Sequence, residues 1–273
     1  MNNITFAILL VVGIGLISGL ILAIASIVMA VPKDKKTEDI RAMLPGANCG
    51  ACGFSGCDGY AKAMASGEAQ PGLCSVGGAK VANEIAAFLG VAAASAEPHV
   101  SIVHCLGSND NTGNKAEYEG IPSCAAAAQV AGSPAQCGFG CIGLGDCVSA
   151  CDYDALSVRN GVAMVEPKNC VACGKCVTAC PKHLLSLIPK KQQAVVLCSS
   201  CDKGAAVMKA CKVGCIGCMR CEKTCQHDAV HVENFLAHVD PEKCVGCGEC
   251  VSVCPRHIIT LVGSGETVCK EEK

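Results

Sequence analysis

The sequence predicts an α+β chain in four parts: an N-terminal transmembrane helix, a small four-cysteine domain, and two tandem copies of a compact cysteine-rich module. Three observations predict this. Residues Ile4 to Val31 are 28 positions without a charge, CGACGFSGC is followed by Cys74, and the cysteines from Cys137 to Cys180 recur 74 positions later as Cys211 to Cys254.

The uncharged run would extend roughly 42 Å as a helix, more than the roughly 30 Å hydrocarbon core of a bilayer. No basic residue precedes it, and it is longer than the apolar core of a cleaved signal peptide, so it reads as a retained single-pass anchor. Lys33, Lys35 and Lys36 follow at once, and basic flanks tend to stay in the cytoplasm, which puts the soluble part on the cytoplasmic face of the inner membrane. Gly15 and Gly19 form a GxxxG step with Gly13 near the same face. That step would admit a second helix closely, although composition alone also accounts for it.

Twenty-six cysteines in 273 residues far exceed what an ordinary core uses. Disulfide frameworks belong to short secreted chains, whereas these cysteines come in tight CxxC groups, so metal binding is the better reading. With no Trp and five Phe, the soluble part must bury Ala, Val, Leu and Ile. Metal–thiolate bonds would then supply much of the folding energy of such small units. The net charge of −2, with no long run of one sign, gives no footing for nucleic acid.

After the turn at Pro45 and Gly46 come Cys49, Cys52 and Cys57, with Cys74 beyond a helix predicted over about Asp58 to Ser66. Three thiols on a glycine-rich loop and a fourth returning later suit a [4Fe-4S] cluster; a zinc ribbon would pair CxxC with CxxC. A second helix, Ala79 to Leu89, presents Val81, Ile85 and Leu89 on one face. The Ala/Ser-rich stretch Ala92 to Pro98 reads as a linker, Ser101 to Cys105 as a short strand, and Gly107 to Gly120 as polar turns without a readable role.

The runs Cys170 to Pro181, CVACGKCVTACP, and Cys244 to Pro255, CVGCGECVSVCP, have the CxxCxxCxxxCP spacing of bacterial ferredoxins. Three cysteines of each run bind one cluster and the fourth crosses to the other. The second copy gives Cys215, Cys218, Cys221 and Cys254 on one cluster and Cys225, Cys244, Cys247 and Cys250 on its partner. In the first copy Leu144 stands where Cys218 would be expected, and Cys137 is the nearest replacement. The expected sets there are Cys137, Cys141, Cys147 and Cys180, and Cys151, Cys170, Cys173 and Cys176; a three-iron cluster at the Leu144 position is the alternative. The intervening segments read as strand, turn, strand, with Asn160 and Gly161 as a hairpin turn.

Five [4Fe-4S] clusters use twenty cysteines, leaving Cys105, Cys124, Cys198, Cys201, Cys211 and Cys269. A sixth site built from Cys198, Cys201 and Cys211 with Cys105 or Cys124 stays open beside their reading as quiet buried thiols. His183 and His257, each just after a CP pair, read as loop histidines. The expected domains are 1–32 (anchor), 33–98 (four-cysteine [4Fe-4S] domain), 99–189 and 190–273 (two bacterial-type two-cluster ferredoxin modules).

An uncharged span, then LPGANCGACGFSGC with Cys74, then ferredoxin modules, resembles the RnfB family of the Rnf complex over nearly the whole chain. The resemblance implies an electron-relay subunit of a membrane ferredoxin:NAD+ oxidoreductase that couples electron flow to Na+ or H+ translocation. It implies soluble ferredoxin and other Rnf-type membrane subunits as partners, and no substrate chemistry on this chain alone. Other readings are an iron–sulfur subunit of another membrane redox complex, a corrinoid-enzyme accessory, whose four-cysteine domain is similar, and a zinc-stabilised scaffold. No glycine-rich dinucleotide fingerprint is present.

Overall fold

The structure is a computed structural model that describes residues 3–28, 34–92, 97–191 and 193–262. The apolar N-terminal run forms helix α1 (Asn3–Val28), with Leu16, Leu20 and Leu22 exposed along it. Open space surrounds Gly13, Gly15 and Gly19. Taken on the described residues, no helix is long and apolar enough to cross a membrane; the unbroken run of described side chains in α1 is Leu9 to Ala25.

Three helices make the next unit: α2 (Lys35–Met43), α3 (Cys57–Ser66) and α4 (Gly78–Leu89). The Asp34 carboxylate accepts the Lys36 N–H and so caps α2. Ile40, Leu44, Tyr60, Met64 and Ile85 form the core. On α4 the buried positions are Ala82, Ile85 and Ala86, while Val81 and Leu89 only flank the core.

The linker Ala92 to Pro98 falls partly outside the described residues, as Cys269 does wholly. The first module then runs β1 (His99–Val103), α5 (Cys124–Ala131), α6 (Asp146–Ser149), β2 (Leu156–Arg159), β3 (Val162–Val165), α7 (Lys175–Ala179) and β4 (Leu185–Pro189). The second runs β5 (Gln193–Val196), α8 (Gly204–Ala210), α9 (Arg220–Thr224), β6 (Val230–Glu233), β7 (Leu236–Val239), α10 (Glu249–Ser252) and β8 (Ile259–Val262).

In both modules the first and last strands pair antiparallel, β1 with β4 and β5 with β8, and the middle strands form a hairpin. Both hairpins turn through two residues of positive φ: Asn160 and Gly161, then Asn234 and Phe235. That is the twist-compatible two-residue turn, although Phe235 adopts it without the freedom of glycine. The first strand lies two residues earlier than its sequence suggests, because its pairing begins at His99 with Pro189.

The modules are joined through β1 and β5. His104 Nδ1 bonds the Val196 carbonyl (2.8 Å), Ser199 Oγ donates to the His104 carbonyl (3.0 Å), and Val100, Ile102, Val195, Leu197 and Val262 share one buried cluster. The polar stretch after β1 has a clear task here. Asn109 N–H bonds the Asn160 carbonyl in the first hairpin (2.9 Å), and Thr112 Oγ1 donates to Ala210 O at the end of α8 (2.8 Å), so this loop clasps both modules.

Candidate iron–sulfur sites

Twenty of the described thiols line five hollows, four to each. Cys49, Cys52, Cys57 and Cys74 line one. The Asn48 Oδ1 accepts the Cys57 N–H (2.9 Å) at the start of α3, and Gly77 N–H bonds Cys74 Sγ (3.3 Å). The Tyr60 hydroxyl donates to Gln70 O (2.8 Å) and accepts Leu73 N–H (3.1 Å), which pins the loop that brings Cys74 back.

In the first module Cys151, Cys170, Cys173 and Cys176 line a second hollow. Ser101 serves it twice, with its N–H on Cys170 Sγ (3.4 Å) and its hydroxyl against Cys176 Sγ (3.4 Å). In the second module Cys215, Cys218, Cys221 and Cys254 share a hollow. Cys225, Cys244 and Cys247 are the thiols whose charge bears on Cys250. Ala194 N–H bonds Cys244 Sγ (3.4 Å), which repeats the Ser101 to Cys170 bond of the first module.

The Leu144 copy differs from the expected set. The hollow of Cys141, Cys147 and Cys180 is lined by Cys124, the first residue of α5, and not by Cys137. Asp146 holds Cys124 there: its carboxylate accepts the N–H groups of Cys124 (2.9 Å) and Ala125 (3.0 Å) and the Ser123 hydroxyl (2.9 Å). Burial pulls the Asp146 carboxyl upward, yet these three donors hold it below its ordinary value. Cys137 lines another hollow with Cys105, Cys198 and Cys211. His183 and His257 line none of these four-thiol hollows; their positive φ values serve the turn after each CP pair.

Among the described residues no three His, Cys, Asp or Glu side chains are close enough to hold a single metal ion. The hollows, about 320 to 470 Å³ counting their open mouths, are instead each lined by four thiols. Burial pushes the Cys147 thiol up to about 12, and Cys141, Cys180 and Cys124 beside it add to the rise. Burial likewise takes Cys221 and Cys250 to about 11. Four thiolates would not ionise together in such places without a cationic core, which reverses the local pKa logic. The donor set, its spacing around a hollow and the N–H groups aimed at sulfur all fit [4Fe-4S] clusters.

A three-helix four-cysteine unit followed by two paired-quartet modules defines a multi-cluster iron–sulfur protein of ferredoxin type. Residues 44–76 match the family described as "Putative Fe-S cluster", and residues 139–184 and 206–261 match families described as "4Fe-4S dicluster domain". The chain is 41% identical to the B subunit of the ion-translocating oxidoreductase complex of Methanosarcina acetivorans, over 91% of this chain and 95% of that protein. It is 42% identical to the B subunit of the Na(+)-translocating ferredoxin:NAD(+) oxidoreductase complex of Acetobacterium woodii, over 93% of this chain and 78% of that one. With the B subunit of the proton-translocating ferredoxin:NAD(+) oxidoreductase complex of Clostridium ljungdahlii it shares 39% identity over 100% of this chain and 98% of that protein. The chain therefore belongs to the RnfB family, the B subunits of ion-translocating oxidoreductase complexes.

Proposed function

We propose that the chain is the iron–sulfur electron-relay subunit of an Rnf-type ferredoxin:NAD+ oxidoreductase, receiving electrons from reduced soluble ferredoxin on behalf of membrane subunits that translocate Na+ or H+. Family membership and the two dicluster domains support the relay role. The observation that carries it within the chain is the succession of thiol quartets, each next to another. Cys49 bears on Cys173, Cys176 on Cys147, and Cys215, Cys221, Cys250 and Cys254 share one buried cluster.

The ligand sets proposed are Cys49, Cys52, Cys57 and Cys74; Cys151, Cys170, Cys173 and Cys176; Cys124, Cys141, Cys147 and Cys180; Cys215, Cys218, Cys221 and Cys254; and Cys225, Cys244, Cys247 and Cys250. A [4Fe-4S] cluster bound at each takes up and releases single electrons. The chain's own part is to fix the sulfurs, exclude water and aim N–H donors at them, which stabilises the thiolates and sets potential. We assign residues 1–32 to a single-pass anchor with the soluble part in the cytoplasm. In support, α1 has 26 residues, about 39 Å against the roughly 30 Å of a bilayer core.

Anaerobic purification tests the reading. Brown protein with acid-labile sulfide, EPR signals of reduced clusters after dithionite, and reduction by ferredoxin are the expected results. A colourless, zinc-loaded protein without sulfide would reject it. Removing residues 1–32 should release the chain from membranes while its iron is retained.

A further inference from the structure

Four of the thiols that none of these sets uses converge. Cys105, Cys137, Cys198 and Cys211 line a single hollow of about 470 Å³, open mouth included, at the junction of the two modules. Each module gives two of them. Cys137 and Cys211 are equivalent in the 74-residue repeat, and Cys105 and Cys198 each follow the first strand of their module, β1 or β5.

The bonds to sulfur repeat as well. Gly107 N–H bonds Cys105 Sγ (3.3 Å), and Ser200 N–H bonds Cys198 Sγ (3.5 Å), in both cases from two residues downstream. Cys141 N–H bonds Cys105 Sγ (3.4 Å), and Cys215 N–H bonds Cys198 Sγ (3.3 Å), in both cases from a cysteine of the neighbouring quartet and from equivalent positions of the repeat. The repeat accounts for the pattern occurring twice; what sets these thiols apart is that both halves face one hollow. Carboxylates and imidazole nitrogen are not needed to complete it, since His104 spends its ring on Val196 O and Ser186 Oγ.

The hollow is kept open by glycines at matching places. A Cβ on Gly107 would lie 3.4 Å from Cys105 Sγ and 3.9 Å from Cys211 Sγ, so both sulfurs border the same point. Gly140 and Gly214, themselves 74 residues apart, stand against Cys137 and Cys211 in the same way, each immediately before a cysteine of its neighbouring quartet, Cys141 or Cys215. Thr112 forms an isolated bridge with Cys211, and Lys212 N–H bonds Asn111 O (2.7 Å), so the loop after β1 fastens the second module's half to the first. Cys201 is exposed and does not line the hollow.

We propose that Cys105, Cys137, Cys198 and Cys211 ligate a sixth [4Fe-4S] cluster, shared between the two ferredoxin modules and lying between the quartets that contain Cys141 and Cys215. The assignment rests on the electron-relay reading, and it supplies the one junction that the five sets leave without a carrier. It also explains why two modules on one chain need a fixed interface: half a site on each side is useless apart.

Native mass spectrometry of the full-length chain, purified anaerobically in detergent, counts clusters without any substitution. Six clusters, with roughly 24 iron atoms by the four-iron rule, are expected; five, with roughly 20, would overturn the sixth site while leaving the relay intact. No clusters at all would reject the relay reading itself. Cys198→Ser and Cys137→Ser should each remove one cluster and about 4 iron atoms, with the dithionite-reduced EPR signal falling in proportion and the other five clusters kept. Six clusters surviving in Cys198→Ser would overturn the assignment. Should that variant fail to fold, the intact mass of the unsubstituted chain still decides.

Discussion

Gly143 and Gly217 are equivalent residues at which the repeat meets different constraints. Gly143 has φ +81, and a Cβ there would sit 2.5 Å from the Gly161 carbonyl oxygen; at Gly217 φ is +63 and the nearest atom, Phe235 O, lies at 3.0 Å. Both conformations disfavour a side chain by about 1 to 2 kcal/mol, and the closer backbone contact adds an overpacking cost of roughly 1 to 3 kcal/mol at Gly143. Gly143→Ala should therefore lower the midpoint of thermal bleaching more than Gly217→Ala, read from the visible absorbance. Tyr60 offers a second residue-level test. The residue is 1% exposed and its hydroxyl satisfies both Gln70 O and Leu73 N–H, so Tyr60→Phe should cost about 1 to 3 kcal/mol. Iron release to a chelator from the Cys74 quartet should then quicken by about tenfold for each 1.4 kcal/mol.

Helix α5 shows how an element outside the repeat can bring a thiol to a hollow. Cys211 follows Cys198 by 13 residues, whereas Cys137 follows Cys105 by 32, so the first module carries 19 extra residues there. Those residues include α5, whose first position brings Cys124 to the place that Leu144 leaves without a thiol. Cys124→Ser should cost that cluster or leave it with three irons, and adding Leu144→Cys should restore it, as seen in EPR and iron content. Asp146→Ala should loosen α5 by about 1 to 2 kcal/mol through loss of its cap-like bonds, visible as faster iron release from this site alone. The sequence made the modules, the hairpins and helices α3 and α4 legible because cysteine spacing and apolar period are local signals; α2 was not legible, since its nine residues carry a single buried position, Ile40, among charges. The hollow-lining pairs of Cys124 and Cys137 were not legible, since nearness in sequence favours Cys137 while the fold closes a longer loop through Asp146. Aligning the strands VSIVHC and QAVVLC, with Cys105 and Cys198 93 residues apart against 74 for the modules, was the signal that could have exposed the insertion.

Across the whole molecule we read the quartets as one relay, a line of carriers. At one end Cys49 of the three-helix unit bears on Cys173 of the first module, and Ser75 Oγ donates to Ala172 O (3.2 Å) to hold the two together. At the other end lies the Cys225 to Cys250 quartet, where Cys247 is exposed and Val245 beside it is 59% exposed. A line has two termini, and the three-helix unit follows directly on the proposed anchor. Ferredoxin should accordingly meet the far end, since an electron entering in the middle would leave the last quartet without use. A small redox encounter depends on close approach over a modest apolar patch rather than on a large interface. Val245→Glu places a charge beside the exposed Cys247 without replacing a proposed ligand. Iron content and EPR should be unchanged, while stopped-flow reduction by ferredoxin slows by about tenfold, equivalent to 1.4 kcal/mol of lost encounter stability. Dithionite, a small reductant that needs no docking surface, should reduce the variant at the normal rate. Equal slowing with both donors would place the fault inside the chain, and an unchanged ferredoxin rate would move the docking end away from Val245.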